Sequence, residues 1–161
     1  MLQDIQPAPI LDFDGLDARR GELGRIVCTS GGYDPVHPGH LSCICESKKF
    51  GDTVVLIVNG DLFLTAKKGK PFQTLETRCR IMSYLRGVDV VVPFEIENDQ
   101  TVREALRRIR PHVFTKGGDR CSPDTIPEWD VCAELGIHVE TGVGEPKNWS
   151  SSELLARWKQ E

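Results

Sequence analysis

From residue 25 onward the chain alternates short unbroken apolar runs with longer stretches whose apolar positions recur every three or four residues. An unbroken run of this length reads as a strand buried on both faces, and the longer period as a helix with one apolar stripe. The runs RIVCTS (25–30), TVVLIVN (53–59), VDVVVPF (88–94), HVFT (112–115) and IHVET (137–141) predict five strands. After the first, Leu41, Ile44 and Cys45 fall at i, i+3, i+4, with Lys48 and Lys49 in the last turn and Gly51 placed as a cap. Thr74–Arg86 reads as the next helix, with Glu76 in its first turn and Gly87 after its last. Thr101 and Glu104 form a T-x-x-E signature ahead of the stripe Val102, Ala105, Leu106 and Ile109, which Pro111 ends. Pro127 opens a helix carrying Trp129, Cys132 and Leu135 up to Gly136, and Ser150, with Glu153 three positions on, opens the last.

Strands alternating with helices require right-handed crossovers. The expected fold is therefore α/β: a Rossmann-like, doubly wound, five-stranded parallel sheet with helices on both faces. Such sheets bind ligands beyond the carboxyl ends of their strands, at the topological switch point. Residues 1–23 have no sustained period and mix acidic residues with Pro and Gly, so they are expected as an N-terminal arm or loosely packed leader before one domain over 24–161.

Charge narrows the partners. With 20 Lys+Arg against 24 Asp+Glu the chain lacks the positive field that holds a phosphate backbone, so no nucleic-acid partner is expected. No apolar run approaches the ~20 residues of a membrane span and the N-terminus has no signal-peptide pattern, so no membrane partner and a cytoplasmic location are expected. The six cysteines contain no CxxC and read as small buried hydrophobes.

The candidate chemistry sits in GGYDPVHPGH (31–40), between the first strand and its helix. Backbone N–H groups at a helix start and the positive end of its dipole make an anion site. Gly39 keeps the backbone bare there, and His37 and His40, three apart, can both donate to a phosphate oxygen. The competing readings are two loop histidines satisfied by backbone and a zinc site with Cys43. The latter lacks a fourth ligand, so no metal-ligating residues are assigned. No G-x-G-x-x-G and no P-loop motif occurs. AKKGKP (66–71) after the second strand, taken alone, is a solvated lysine loop, and Ser150, Ser151 and Ser152 offer a second helix start with hydroxyls. In TKGGDR (115–120) Gly117 and Gly118 permit close approach and Asp119 can accept from sugar hydroxyls.

Together with VNGD, LETR, VDVVVPFE, FTKGGD and WSSS, the histidine loop resembles the HxGH signature of the cytidylyltransferase-like nucleotidyltransferase superfamily, over about residues 25–155. KGGD and VDVVVPFE are most similar to the heptose 1-phosphate adenylyltransferase domain of ADP-heptose synthase, and glycerol-3-phosphate cytidylyltransferase is the related alternative. The resemblance implies transfer of a nucleoside monophosphate from a triphosphate, ATP favoured over CTP, to a small phosphorylated acceptor such as a sugar phosphate, with Mg²⁺ as cofactor, pyrophosphate leaving, and a homodimer. A phosphate monoester with second pKa near ~6 needs no general base to attack.

The resemblance implies catalytic roles for His37, His40 and Lys67. It implies nucleotide binding by Gly32, Tyr33, Gly39, Lys68, Lys70, Ser150, Ser151 and Ser152, and acceptor binding by Asp34, Arg78, Lys116, Gly117, Gly118 and Asp119. There are departures: Glu145 stands where the glycerol phosphate enzymes carry Arg ahead of the serine motif, with Lys147 the nearest cation, and Glu95 replaces an acceptor-binding Lys. Leu155 stands where nicotinamide mononucleotide enzymes carry Arg. A non-catalytic nucleotide-binding regulator is the alternative from another class.

Overall fold

A computed structural model describes residues 6–160. Five parallel strands, β1 (Ile26–Gly31), β2 (Thr53–Asn59), β3 (Val90–Phe94), β4 (Val113–Thr115) and β5 (His138–Glu140), lie in the order β3-β2-β1-β4-β5. The chain steps outward from β1 to β2 and β3, then returns to β4 and β5 on the other side, so the switch point falls between β1 and β4. The seven helices are α1 (Phe13–Ala18), α2 (Pro38–Ser47), α3 (Asp61–Lys68), α4 (Leu75–Ser83), α5 (Arg103–Ile109), α6 (Trp129–Leu135) and α7 (Ser151–Trp158) among the described residues.

β2 is buried along its whole length because both of its faces are covered, whereas the edge strand β5, His138–Glu140, is only partly buried. Val55 and Ile57 of β2 point into a core with Leu16 of α1, Leu106 and Ile109 of α5 and Val131 and Cys132 of α6. Leu56 and Val58 point the other way, to Ile44 of α2 and Cys79 and Met82 of α4. The expected doubly wound sheet is thus present, with helices on both faces. No helix among the described residues is long and apolar enough to cross a membrane.

Several local expectations are corrected. The described part of the leader, residues 6–23, is no loose arm. Asp12 caps α1 by accepting from Gly15 N–H at 2.7 Å, Leu16 is 1% exposed, and Leu11 and Pro9 exchange backbone hydrogen bonds with Val91 at 2.9 Å. The segment thereby covers one core and flanks the β3 edge, which an edge strand needs; residues 1–5 of the expected leader lie outside the described residues. Leu16→Ala is expected to lower unfolding free energy by about 2–5 kcal/mol, read from denaturant unfolding; wild-type stability would return the segment to a loose arm.

Gly51 is extended and not a left-handed cap; the helix tightens into a 3₁₀ turn over Lys48–Phe50, and a Cβ on Gly51 would lie 2.5 Å from Arg25 O. Thr101 and Glu104 form no capping box, because Asp99 accepts from both the N–H and the hydroxyl of Thr101. The amide of Val102, where α5 starts, goes instead to Glu128 Oε1 at 3.1 Å. α6 starts at Trp129, two positions after Pro127. Residues 66–68, the first half of the lysine segment read as a loop, form the last turn of α3, whose first amides, Asp61 and Leu62, donate to the Glu95 carboxylate at 2.8 and 2.7 Å. Glu95 is therefore a helix cap supplied from the end of β3.

Candidate functional site

One cleft of about 900 Å³ opens beyond the carboxyl ends of β1 and β4, and its lining includes the start of α2, the end of α3, the loop after β4 and the start of α7. β1 ends in Gly31, whose Cβ would meet the Tyr33 ring at 3.0 Å, and Tyr33 takes positive φ to turn the chain toward α2. Tyr33 is buried, with its ring edge-on to His40 at 4.9 Å.

His37 is the N-cap residue of α2 and Pro38 follows it at the position where an absent N–H is harmless. The His37 and His40 rings stack with centroids 3.6 Å apart. His37 N–H donates to His40 Nδ1 at 3.3 Å, so the neutral His40 carries its proton on Nε2, the atom left free to donate. His37 Nδ1 is buried with no hydrogen-bond partner. Burial, then the charges of His37, Lys67 and Lys68, push the His40 pKa down to about 3, and burial lowers that of His37. Both shifts favour the neutral imidazole in the free protein.

The cleft's charges sort themselves by pairing. Asp34 is fully buried and its carboxylate is consumed: it accepts from Phe72 and Gln73 N–H at 2.7 and 2.8 Å and pairs with Lys68 at 3.3 Å. Lys68 also donates to the Asp34 carbonyl. Asp119 pairs with Lys147 at 3.3 Å on the exposed rim, and Lys116 pairs with Glu128 at 3.3 Å in the interior. Among the described residues no carboxylate lies within ion-pair distance of Lys67 or Arg120. Burial, then the neighbouring charges of Arg120, Lys68 and Lys147, hold the Lys67 ammonium below its ordinary pKa. Like charges gathered without counter-charges mark a place prepared for an anion.

At the far wall Ser150 caps α7 by accepting from Glu153 N–H at 3.4 Å, as its S-x-x-E spacing predicts, and Ser151 Oγ donates to Pro35 O at 2.7 Å. The second bond ties the start of α7 to the histidine loop. The hydroxyls of Ser150 and Ser151 are therefore engaged within the protein, leaving Ser152 exposed beside them.

The structure brings Gly32, Tyr33, Asp34, His37, Gly39, His40, Lys67, Lys68, Lys116, Gly117, Gly118, Asp119 and Ser150–Ser152 to one cleft. Two expected residues are not among its walls. Lys70 is exposed beyond the end of α3. Arg78 is 0% exposed beneath the floor, donating to Gln73 O, Gly32 O, Asn59 O and Asp61 Oδ1 at 3.0, 2.7, 2.6 and 2.7 Å. Its donors are spent on three backbone carbonyls and the Asp61 carboxylate, so it braces the loop from beneath. Sequence reasoning missed Arg120, inside a quoted motif but unremarked, and Glu128, which resembles any acidic residue in a first helical turn.

A family model described as cytidylyltransferase-like matches residues 28–151. The bifunctional protein HldE of Nitrosococcus oceani is 37% identical over 112 residues, covering 68% of this chain and 23% of that protein. HldE of Methylococcus capsulatus is 38% identical over 123 residues, covering 75% and 25%. The chain thus spans about a quarter of the length of these relatives. Among solved structures, the lipopolysaccharide core biosynthesis protein of Thermoplasma volcanium aligns with TM-score 0.63 at 25% identity, over 76% of this chain and 97% of that one. The pantoate-beta-alanine ligase of Francisella tularensis, at 16% identity and TM-score 0.61 over 89% and 68%, shares the fold.

Proposed function

The chain belongs to the cytidylyltransferase-like family, and from that premise we propose that this nucleotidyltransferase moves an adenylyl group from ATP to a sugar phosphate, releasing pyrophosphate. The observation that carries the reading is the convergence in one cleft of the stacked imidazoles at the start of α2 and the cations Lys67 and Arg120, unpaired among the described residues. The triphosphate sits there, with the Gly39 amide and His40 Nε2 donating to the α-phosphate, and His37 beside them. Lys67 and Arg120 neutralise the β- and γ-phosphates, and the amides opening α7 take the remaining oxygens.

An acceptor phosphate oxygen attacks the α-phosphorus in line; the bond to the bridging oxygen breaks and pyrophosphate leaves with the electron pair. A dianionic acceptor has no proton to lose, so the proposed reaction asks for no carboxylate base in the cleft. Catalysis then consists of positioning two anions and stabilising charge as it moves to the leaving group. His37 Nδ1, without a partner, has capacity for a ligand oxygen or water on opening of the pair. Among the described residues no group of three His, Cys, Asp or Glu stands ready for a metal. Mg²⁺ uses one or two carboxylates together with substrate phosphates, so in this reading it enters with the triphosphate.

The test is pyrophosphate release from ATP and CTP against heptose 1-phosphate, glycerol 3-phosphate and nicotinamide mononucleotide. Turnover is expected with ATP and the sugar phosphate. Triphosphate binding without turnover on any acceptor would favour the regulatory alternative, and preference for CTP with glycerol 3-phosphate would overturn the assignment of both substrates.

A further inference from the structure

The end of β4 carries a buried ion pair that the phosphate chemistry does not use. Lys116 and Glu128 are 7% and 3% exposed, both line the cleft, and their charged atoms stand 3.3 Å apart. Glu128 divides its carboxylate between two tasks. Oε1 holds the Val102 amide at 3.1 Å, whereas Oε2, also buried, meets only the Lys116 ammonium, at 3.3 Å and out of hydrogen-bond alignment. Lys116 Nζ rests 4.5 Å above the Phe114 ring on its other side.

Burying such a pair gains little over apolar packing, and a buried carboxylate oxygen without a donor is costlier still. A reason to keep it is a ligand group that completes it. From this geometry we propose that Lys116 and Glu128 form a subsite that reads a sugar hydroxyl, which donates to Glu128 Oε2 and accepts from Lys116 Nζ. The chemistry of the pair selects the class. A hydroxyl both donates and accepts, a phosphate has no donor and meets the carboxylate's charge, and an inorganic cation meets the ammonium. Asp119, the carboxylate favoured by the sequence, is exposed and paired with Lys147 on the rim, so Glu128 is the buried acceptor here.

The inference rests on the nucleotidyltransferase reading for the presence of a sugar, and the reaction holds two: the ribose of the nucleotide and the ring of the acceptor. Titration calorimetry of the wild-type protein separates them, comparing ATP with its 2′-deoxy and 3′-deoxy forms and heptose 1-phosphate with its monodeoxy analogues. One deoxy compound in one of the two series is expected to bind about ten- to a hundredfold more weakly than its parent, the loss of a hydrogen bond to a charged group. In Glu128→Gln the amide oxygen still accepts from Val102, while an NH₂ replaces Oε2. This variant should bind the parent of that series more weakly by the same factor, lose the preference for it over the deoxy compound, and leave the other series unchanged. Discrimination in the nucleotide series assigns the subsite to ribose; in the acceptor series, to the sugar phosphate. Wild-type protein that binds both parents yet treats every deoxy analogue within about twofold overturns the proposal, whether or not the variant folds. Failure to bind ATP at all sinks the underlying functional reading instead.

Discussion

Replacing His40 with alanine is expected to lower kcat by about 10²–10³ with a smaller change in KM for the triphosphate. The side chain is fixed on three sides: by the His37 amide on Nδ1, by the stacked His37 ring, and by the edge of Tyr33. That leaves Nε2–H as a preorganised neutral donor, which strengthens as charge grows on the α-phosphate. His37→Ala should fall in the same range, and the double variant should lose less than the sum, because each ring holds the other. Equal small effects on kcat from both would contradict the roles. A second readout follows from protonation. The folded pKa of His40 lies near 3 against an ordinary 6.5, so between those values the unfolded chain binds the additional proton. Stability from this group is complete above about pH 6.5 and is lost as pH falls toward 3. The urea midpoint of the wild type should drop across that window, and that of His40→Ala should drop less.

Arg78→Ala is expected to cost about 3–5 kcal/mol of unfolding free energy. The guanidinium is fully buried and answers the carbonyls of Gly32, Asn59 and Gln73 and the Asp61 carboxylate, each of which loses its donor. Arg78→Lys should recover little, since one ammonium cannot reproduce the planar fork that spans these acceptors. Guanidinium chloride unfolding measures the loss. Near-wild-type stability with a raised KM for the acceptor would restore Arg78 to the substrate-binding role that the LETR motif suggests.

The central strands were legible because they are apolar on both faces, a pattern that β2 carries without a break, while β5 at the edge shows it least. α7 was legible because its cap, Ser150, lies next to the helix it starts. What escaped was capping at a distance. α3 takes its first-turn acceptor from Glu95 and α5 takes one from Glu128, partners more than twenty positions away that no local signature reveals. α1 escaped for another reason: its single fully buried residue, Leu16, makes no periodic stripe. The site divided along the same line. The histidine loop and the glycines after β4 stand out in the sequence because a motif coincides with a strand end, whereas Lys67, in the last turn of α3, is suggested only by the resemblance. The division of Asp34, Lys68 and Arg78 into supporting roles depends on which donors meet which acceptors, and spacing along the chain does not encode that.

The proposed function requires a triphosphate on the start of α2. Its most direct test is a crystal structure with a non-hydrolysable ATP analogue. An α-phosphate oxygen should lie about 2.6–3.2 Å from His40 Nε2 and within reach of the Gly39 amide, with Lys67 and Arg120 around the outer phosphates. A triphosphate bound elsewhere in the cleft, with the stacked histidines touching only protein, would contradict it.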